Sequence, residues 1–413
     1  MLDLKLLFLQ MAVILATARL MAVAFRFIGQ PGVIGEMAAG LLLGPSFLGR
    51  ISPAMMNRLF PSGGLGSLYA LSQLGLVLFM FVVGLEVRPG SLRGSAKSVI
   101  VASQASIMAP FLLGGILAWS FYPRLGNGAP RLPFVLFLGA AMGITAFPVL
   151  ARILADRKLM HTKVGAFALS CAAIDDVTAW CLLAVITVIA RPEANQIPLP
   201  WRFAALIAYI LAMLFLVRPV LRLLLPASST PDLARFGAAM IFLLLSAWAT
   251  EALAVHALFG AFLAGIVMPK GGQLQKELRE RLESLTVVLL LPLFFAYSGL
   301  RTSIALLNSV ELWLFCGVIV MVAVGSKLLV SGAIVRASGM PWRESMAVGV
   351  LMNTRGLVEL VILNVGLDLH ILSPTLFSMM VIMALATTVM TTPLIVWILP
   401  PSLTETSGST SGS

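Results

Sequence analysis

Residues 164–190 read VGAFALSCAAIDDVTAWCLLAVITVIA, an almost wholly apolar run that is long enough to cross a lipid bilayer as one helix. Two adjacent aspartates, Asp175 and Asp176, interrupt this run near its centre. An ionised carboxylate at membrane depth is energetically costly, and such residues mark ion or proton sites far more often than they serve packing. The stretch therefore predicts a transmembrane helix that carries an ion or proton site.

The whole chain has the composition of a polytopic membrane protein. Of its 413 residues, 60% are hydrophobic and 11% are charged, whereas soluble domains are about 25% charged. The formal net charge is +11, but the basic residues lie in short loops between apolar runs and form no patch. We therefore predict a lipid bilayer as the surroundings of the chain and no nucleic-acid partner.

Thirteen apolar windows are candidate transmembrane helices, and we call them segments 1 to 13. They lie at roughly 4–25, 32–48, 68–87, 97–121, 132–155, 163–190, 201–217, 232–252, 254–269, 284–302, 310–335, 343–366 and 375–399. Segments 2 and 9 are short and contain Gly and Pro, which is typical of transporters built from repeats.

Three pairs of segments share an order of residues, with spacings that agree to within one residue, and each pair is offset by seven segments. Segments 2 and 9 share the order Gly-Gly-Pro, segments 3 and 10 share Leu-Phe followed by Gly-Leu, and segments 5 and 12 share the order Gly-Met-Thr. The glycines concerned are Gly35, Gly40, Gly260, Gly265, Gly84, Gly299, Gly139 and Gly349. An odd offset means that the two copies cross the membrane in opposite senses. We therefore predict an all-α fold of about thirteen helices with inverted six-helix repeats.

We predict one transmembrane unit over residues 1–401, followed by a disordered tail at 402–413 that is mostly Ser, Thr and Gly. The first repeat covers about 4–190, a linker helix about 201–217, and the second repeat about 232–399. The loops on the side that holds the C-terminus carry 17 Lys and Arg, against 8 on the other side. The positive-inside rule then predicts a multi-pass protein of the plasma (inner) membrane, with its N-terminus outside and its C-terminus in the cytoplasm.

Segments 5 and 12 each carry a residue that opens a helix. Pro148 lacks a backbone donor and clashes with the carbonyl of Ile144, and Gly356 relaxes the backbone near the centre of segment 12. Irregular backbone survives in a bilayer only beside a cavity or inside protein. We therefore predict two broken helices that cross at mid-membrane and aim their half-helix ends at the site. A simple proline kink is the alternative for segment 5.

Arg355 places a full positive charge in segment 12, and Glu359 follows one helical turn later, within reach of an ion pair. One reading is structural: the two charges neutralise each other and the exposed carbonyl ends of the broken helices. The other reading is that one of them contacts the transported ion. We favour the structural reading because intramembrane charges usually pair.

The two aspartates need different partners, since adjacent residues point about 100° apart on a helix. Lys327 in segment 11 is the only lysine deep in a segment, and a buried ammonium needs a counter-charge. We assign Asp175 to an ion pair with Lys327 and Asp176 to the ion. Residue types and positions alone leave open which aspartate takes which role.

One buried carboxylate is sufficient for ion exchange. Hard cations favour oxygen ligands, here the carboxylate of Asp176, a backbone carbonyl, a hydroxyl such as that of Thr145, and water. A proton competes with the cation for the same carboxylate. We therefore predict a secondary transporter that exchanges a monovalent cation (Na⁺ or K⁺) for H⁺, with no enzymatic activity and no cofactor. If the cation also breaks the Asp175–Lys327 pair and Lys327 releases a second proton, the cycle is electrogenic.

Five stretches together resemble the cation:proton antiporter superfamily, particularly its monovalent cation:proton antiporter-2 branch and the plant cation/proton exchangers. These stretches are Gly35–Pro45, Phe79–Glu86, Thr145–Leu150, Ala173–Val177 and Met352–Leu360. The resemblance runs over nearly the whole chain. It implies a homodimer in which a dimerisation domain supports a mobile core that carries the ion by an elevator-like movement. The core helices would lie at about 97–190 and 310–399.

The resemblance also implies roles for individual residues. It implies that Asp176 binds the cation and that Asp175 pairs with Lys327. It also implies that Thr145 is the site threonine of the first broken helix. The chain departs from the family at Ala146, where some relatives carry an acidic residue. This departure shifts the neutralisation of the half-helix ends onto Arg355 and Glu359.

Two other functions compete with exchange. A sodium-coupled solute symporter on a related broken-helix fold needs a polar cavity for an organic substrate, and its candidate side chains are few: Gln104, Ser170 and Asn353. An intramembrane aspartyl protease needs two carboxylates about 3 Å apart, normally from two segments. Adjacent aspartates on one helix do not converge in this way, so we reject the protease.

Overall fold

The computed structural model describes residues 4–61, 64–86, 96–160, 162–190, 198–225, 233–253 and 255–399, and these residues form only helices, turns and loops. The predicted tail at 402–413 lies outside them. The α-helices of the described residues are α1 (Leu4–Phe27), α2 (Gly32–Leu43), α3 (Leu48–Ile51), α4 (Pro53–Leu59), α5 (Leu65–Glu86), α6 (Ala96–Leu125), α7 (Arg131–Gly143), α8 (Phe147–Asp156), α9 (Lys163–Ala190), α10 (Leu199–Leu211), α11 (Arg218–Leu224), α12 (Leu233–Ala252), α13 (Ala257–Val267), α14 (Gln273–Leu285), α15 (Leu291–Leu300), α16 (Val310–Ala337), α17 (Trp342–Met352), α18 (Leu357–Asp368) and α19 (Pro374–Ile398). Short π-helical turns join α10 to α11 and α14 to α15.

The predicted number of membrane segments is confirmed. Within the described residues, 12 helical stretches are long and apolar enough to span a bilayer, and α13 is a further, shorter apolar helix. They coincide one for one with segments 1 to 13. The largest difference is at segment 10, where the helix already begins at Gln273. Its first turns are amphipathic, with only the face of Leu274, Leu278 and Leu282 rich in apolar side chains, so an apolar window misses them.

Both predicted helix breaks are present. In segment 5, α7 ends at Gly143 and α8 begins at Phe147, with non-helical backbone between them. Pro148 lies in the first turn of α8, where its missing donor is tolerated. In segment 12, α17 ends at Met352 and α18 begins at Leu357. Gly356 precedes α18 with a φ of 142°, a conformation that strongly favours glycine.

The chain divides into two compact units. The first contains Met1–Ala16, Leu48–Pro89 and Trp180–Tyr297, and the second contains Thr17–Phe47, Gly90–Ala179 and Ser298–Ser413. All the site residues predicted from the sequence belong to the second unit.

Within the second unit, the end of α2 and the end of α15 approach each other backbone to backbone. A methyl group added at Gly299 would overlap the backbone of Gly40, and one added at Gly44 would overlap the carbonyl oxygen of Gly299. Only residues without a side chain allow this approach.

An equivalent contact occurs within the first unit, between α5 and α13. A methyl group at Gly84 would overlap the carbonyl oxygen of Phe262, and one at Gly265 would overlap that of Phe81. The first contact joins segments 2 and 10, and the second joins segments 9 and 3. The same glycine contact thus occurs once for each copy of the predicted repeat.

We expect Gly299→Ala and Gly84→Ala each to destabilise the protein, by about 1–3 kcal/mol, because a methyl group cannot enter these backbone contacts without a shift. Gly317→Ala is the matched control, since Gly317 also lies inside a helix but its added methyl group meets no atom within 4 Å. Alanine is the better helix former, so the control should be neutral or stabilised by up to about 1 kcal/mol. Thermal unfolding in detergent measures all three, and equal midpoints would contradict the glycine contacts.

Candidate ion-binding site

Asp175, in the middle of α9, is fully buried and has hydrogen-bond donors on both carboxylate oxygens. Ser103 donates to Oδ1 at 2.5 Å, while Ser106 at 3.2 Å and Thr145 at 2.8 Å reach Oδ2. The ammonium of Lys327 lies 3.3 Å from Oδ2 and is equally buried. The ionised form of Asp175 is therefore both paired and hydrogen-bonded, as a charge in a low-dielectric interior requires.

Lys327 has an acceptor for each of its three N–H donors. Nζ donates to Thr145 Oγ1 at 2.6 Å, to Ser106 Oγ at 3.2 Å and to Asp175 Oδ2 at 3.3 Å. The shortest of these contacts is with the threonine hydroxyl. The ion pair is thus part of a network that joins α6, α9, α16 and the break in segment 5.

Ser103 and Ser106 are site residues that reasoning from the sequence missed. They are three residues apart on α6, so both lie on the face of that helix that meets Asp175. The available signal was a pair of hydroxyls at helical spacing in an otherwise apolar segment. Such pairs also bond to their own helix in many membrane proteins, which makes the signal weak on its own.

Asp176 is in a different environment from its neighbour, although its side chain is only 1% exposed. The backbone N–H of Phe147, the first residue of α8, is directed at this carboxylate, but among the described residues neither of its oxygens has a partner at full hydrogen-bond geometry. The N-terminal end of a helix carries partial positive charge, which favours an anion there. A buried carboxylate without further partners is stable only when it holds a proton or a cation.

The two helix breaks are in direct contact. The backbone N–H of Ala146 donates to the carbonyl oxygen of Thr354 at 3.0 Å, and the hydroxyl of Thr145 lies 2.9 Å from the carbonyl oxygen of Met352. A hydroxyl has one hydrogen, so Thr145 donates either to Met352 or to Asp175 at any moment. The backbone amide of Ala146 is therefore satisfied by the other break.

Arg355 contacts the end of the first half-helix. Its guanidinium is fully buried and donates to the carbonyl oxygens of Ala141, at 2.8 Å, and Met142, both in the last turn of α7, and to Glu359 at 3.0 Å. Glu359 lies in the first turn of α18. A cation at the carbonyl end of one half-helix and an anion at the amide end of another each oppose the local helix dipole.

Thr388 of α19 is a third residue that the sequence did not reveal. Its hydroxyl accepts a hydrogen bond from the backbone N–H of Arg355 at 3.1 Å and lies 2.9 Å from the carbonyl oxygen of the same residue. It therefore satisfies the backbone of the second break at the point where the helical ladder is interrupted. A threonine inside an apolar helix gives no sequence signal for this role.

Five charged side chains are buried in the described part of the second unit: Asp175, Asp176, Lys327, Arg355 and Glu359. With all five ionised, two positive and three negative charges sum to −1. One added monovalent cation or one added proton makes the cluster neutral. The arrangement can therefore hold either ion, but an empty cluster carries an uncompensated buried charge.

Comparison with known proteins places the chain in a family. The family model described as "Sodium/hydrogen exchanger, transmembrane" matches residues 12–399. The Na⁺/H⁺ antiporter NhaS4 of Synechocystis sp. is 43% identical over 393 residues, which cover 94% of this chain and 96% of that protein. Cation/H⁺ antiporter 17 of Arabidopsis thaliana is 38% identical over 97% of this chain, which spans 50% of the plant protein.

Among solved structures, the sodium proton antiporter MjNhaP1 from Methanocaldococcus jannaschii matches with a TM-score of 0.72, over 96% of this chain and 100% of that one. At 13% sequence identity this likeness shows the fold alone. The family model, in contrast, covers nearly every described segment and the cyanobacterial relative matches over almost its full length. The chain therefore belongs to the transmembrane sodium/hydrogen exchanger family of monovalent cation:proton antiporters.

Proposed function

We propose that the chain exchanges a monovalent cation, Na⁺ or K⁺, for H⁺, and that both ions compete for the carboxylate of Asp176. One observation carries this proposal. Asp175 is fully satisfied by Lys327 and three hydroxyls, while the adjacent Asp176 is buried with two oxygens that lack partners at full hydrogen-bond geometry among the described residues. Only the second of the two aspartates has free coordination capacity.

In this cycle the cation would bind to Asp176, to the hydroxyl oxygen of Thr145 and to water, since a hard cation favours oxygen ligands. A proton bound to Asp176 removes the charge that attracts the cation, so the two occupy the site in turn. The cluster carries −1 when empty, and moving it through the membrane in that form is costly. The loaded site crosses at lower cost, which couples the movement of one ion to that of the other.

Thr145 connects cation binding to Lys327. The ammonium donates to the threonine hydroxyl at 2.6 Å, so a cation bound to the same oxygen would stand beside a second positive charge. That repulsion favours release of a proton from Lys327. Two protons would then leave the site as one cation enters. The proton-loaded cluster would be neutral and the cation-loaded cluster would carry −1, so the cycle would move net charge. The cation would still remove one of the two negative charges that the cluster carries once Asp176 and Lys327 have both lost their protons.

The moving parts proposed for the cycle are those that the family resemblance implies. We propose an elevator-like movement of core helices at about 97–190 and 310–399, supported by a scaffold that forms a homodimer. The repeat boundaries given above, and a plasma (inner) membrane orientation with the N-terminus outside and the C-terminus cytoplasmic, belong to the same proposal. Support for a core that moves as one body comes from the presence of the whole charge cluster in one compact unit.

A sodium-coupled solute symporter is the weaker alternative. Of its three candidate substrate-binding side chains, Gln104 donates to Thr178 at 3.2 Å and Ser170 bonds to its own helix at Ala166. Asn353 remains, with a buried side-chain oxygen that has no partner among the described residues. One amide is a poor basis for holding an organic substrate.

We expect Asp176→Asn to abolish exchange, because the amide keeps the shape of the side chain but holds neither a proton nor a monovalent cation as a carboxylate does. The measurement is dissipation of a pH gradient in proteoliposomes on addition of Na⁺, K⁺ or Li⁺, without any organic solute. Glu311→Gln is the matched control, since it makes the same chemical change at an exposed residue of the second unit. Native exchange rates in Asp176→Asn would exclude the proposed site. Cation-driven dissipation of the pH gradient by the native protein, without any organic solute, would decide against the solute symporter.

We expect the membrane potential to drive exchange by the native protein, because Lys327 is proposed to supply a second proton. If one net charge moves per cycle, a potential of 100 mV shifts the equilibrium cation gradient by about 50-fold, from about 2.3 kcal/mol per charge. Lys327→Gln should keep the exchange of one proton, at a reduced rate, and lose the response to potential. A native protein whose equilibrium gradient ignores a potassium–valinomycin potential would refute the second proton while leaving competition at Asp176 intact.

A further inference from the structure

A polar cavity of about 400 Å³ lies at the ends of three helices of the second unit, away from the charge cluster. Its lining includes Arg26, Gln30, Ile153, Asp156 and Arg157. The candidate spans end or begin beside it: one ends at Phe27, one begins at Gly32 and one ends at Asp156. Helices that span a bilayer end at the headgroup level, so the cavity opens where lipid phosphates are found.

The cavity holds two guanidinium groups and one carboxylate, that of Asp156, so its lining keeps a net positive charge. Among the described residues neither Arg26 nor Arg157 forms an ion pair within 4 Å, although Glu36 is near enough to Arg26 to attract it electrostatically. Arg157 is held in place by one hydrogen bond, from its terminal nitrogen to the carbonyl oxygen of Gly29 at 2.6 Å. The remaining N–H groups of both arginines are available to an anion.

The surface next to the cavity is apolar. Phe27 is 88% exposed and Ile28 is 69% exposed, and both directly follow Arg26 in the chain. A soluble anion gains nothing from such neighbours, whereas a lipid would place its phosphate on the arginines and its acyl chains against these side chains. The cavity also lies on the face of the protein whose loops are rich in Lys and Arg, which the positive-inside rule predicts to be cytoplasmic.

We propose that Arg26 and Arg157 bind the phosphate of an anionic phospholipid in this cavity. Guanidinium groups form paired hydrogen bonds with phosphate oxygens, and basic pockets at the cytoplasmic ends of membrane helices bind anionic headgroups. Arg157 directly follows α8, whose first residue faces Asp176, while Arg26 lies at the end of α1. A bound headgroup would link the far end of α8 to the turn between α1 and α2.

Asp156 sets the strength of this site. Its carboxylate lines the same cavity and repels a phosphate, so its charge opposes that of the two arginines. The cavity is therefore suited to a ligand that is exchanged rather than permanently held. Removing the charge of Asp156 should therefore make the cavity bind a phosphate more tightly. A misfolded variant would not show such a gain in binding.

The test is native mass spectrometry of the whole purified chain, titrated with phosphatidylglycerol in a background of phosphatidylcholine. We expect Arg26→Gln and Arg157→Gln each to weaken phosphatidylglycerol binding by about fivefold, and Asp156→Asn to strengthen it by a similar factor. Arg343→Gln is the control, because it removes one exposed positive charge of the second unit that does not line the cavity. Its binding should equal that of the native chain.

The site would be overturned if the native chain and all four variants bound phosphatidylglycerol equally. It would also be overturned if Arg343→Gln lost as much binding as Arg26→Gln and Arg157→Gln. A competition arm separates lipid from soluble anion: excess inorganic phosphate should leave phosphatidylglycerol bound. Displacement of the lipid by inorganic phosphate, with the same dependence on Arg26 and Arg157, would assign the cavity to a soluble anion and overturn the lipid. None of these readouts depends on ion exchange, so the outcome is independent of the proposed transport function.

Discussion

The ion pair between Lys327 and Asp175 is the interaction that organises the second unit. Neither charge has access to water, and each is stable only because the other is present and hydroxyls complete their hydrogen bonds. Those hydroxyls come from α6 and from the break in segment 5, so the pair joins helices that are far apart in the chain. Removing one partner of such a pair typically costs about 3–5 kcal/mol, because it leaves an uncompensated buried charge.

Because Lys327 and the surrounding hydroxyls satisfy Asp175, the neighbouring Asp176 is the aspartate whose oxygens remain for an ion. Asp175 and Asp176 follow each other in the chain, yet helical geometry turns their side chains into different surroundings. The first uses its charge to hold the structure together, and the second keeps its charge available at the amide end of α8. A single carboxylate with free oxygens, fixed beside a network that does not need it, is suited to bind one ion at a time.

Breaking two helices inside a membrane exposes backbone groups that would normally be satisfied within the helix. Here the breaks satisfy part of this need from each other, through the hydrogen bond from Ala146 to Thr354. Arg355 satisfies the carbonyl end of α7, and Thr388 completes the backbone of the second break. At Ala146 the backbone amide is thus satisfied by the other break, without a contribution from a side chain.

Local patterns in the sequence were sufficient for the number of membrane segments, the positions of both breaks and the identity of the buried charges of the second unit. Apolar length, proline geometry and the cost of a buried charge all act within one segment, so they can be read from one segment. The tertiary structure alone decided which oxygens surround Asp175, since Ser103 and Ser106 approach it from another helix. It also decided that Arg355 reaches the last turn of α7 and that Arg26 and Arg157 share a cavity. Contacts between segments depend on how helices pack against one another, and no periodicity within a segment records that.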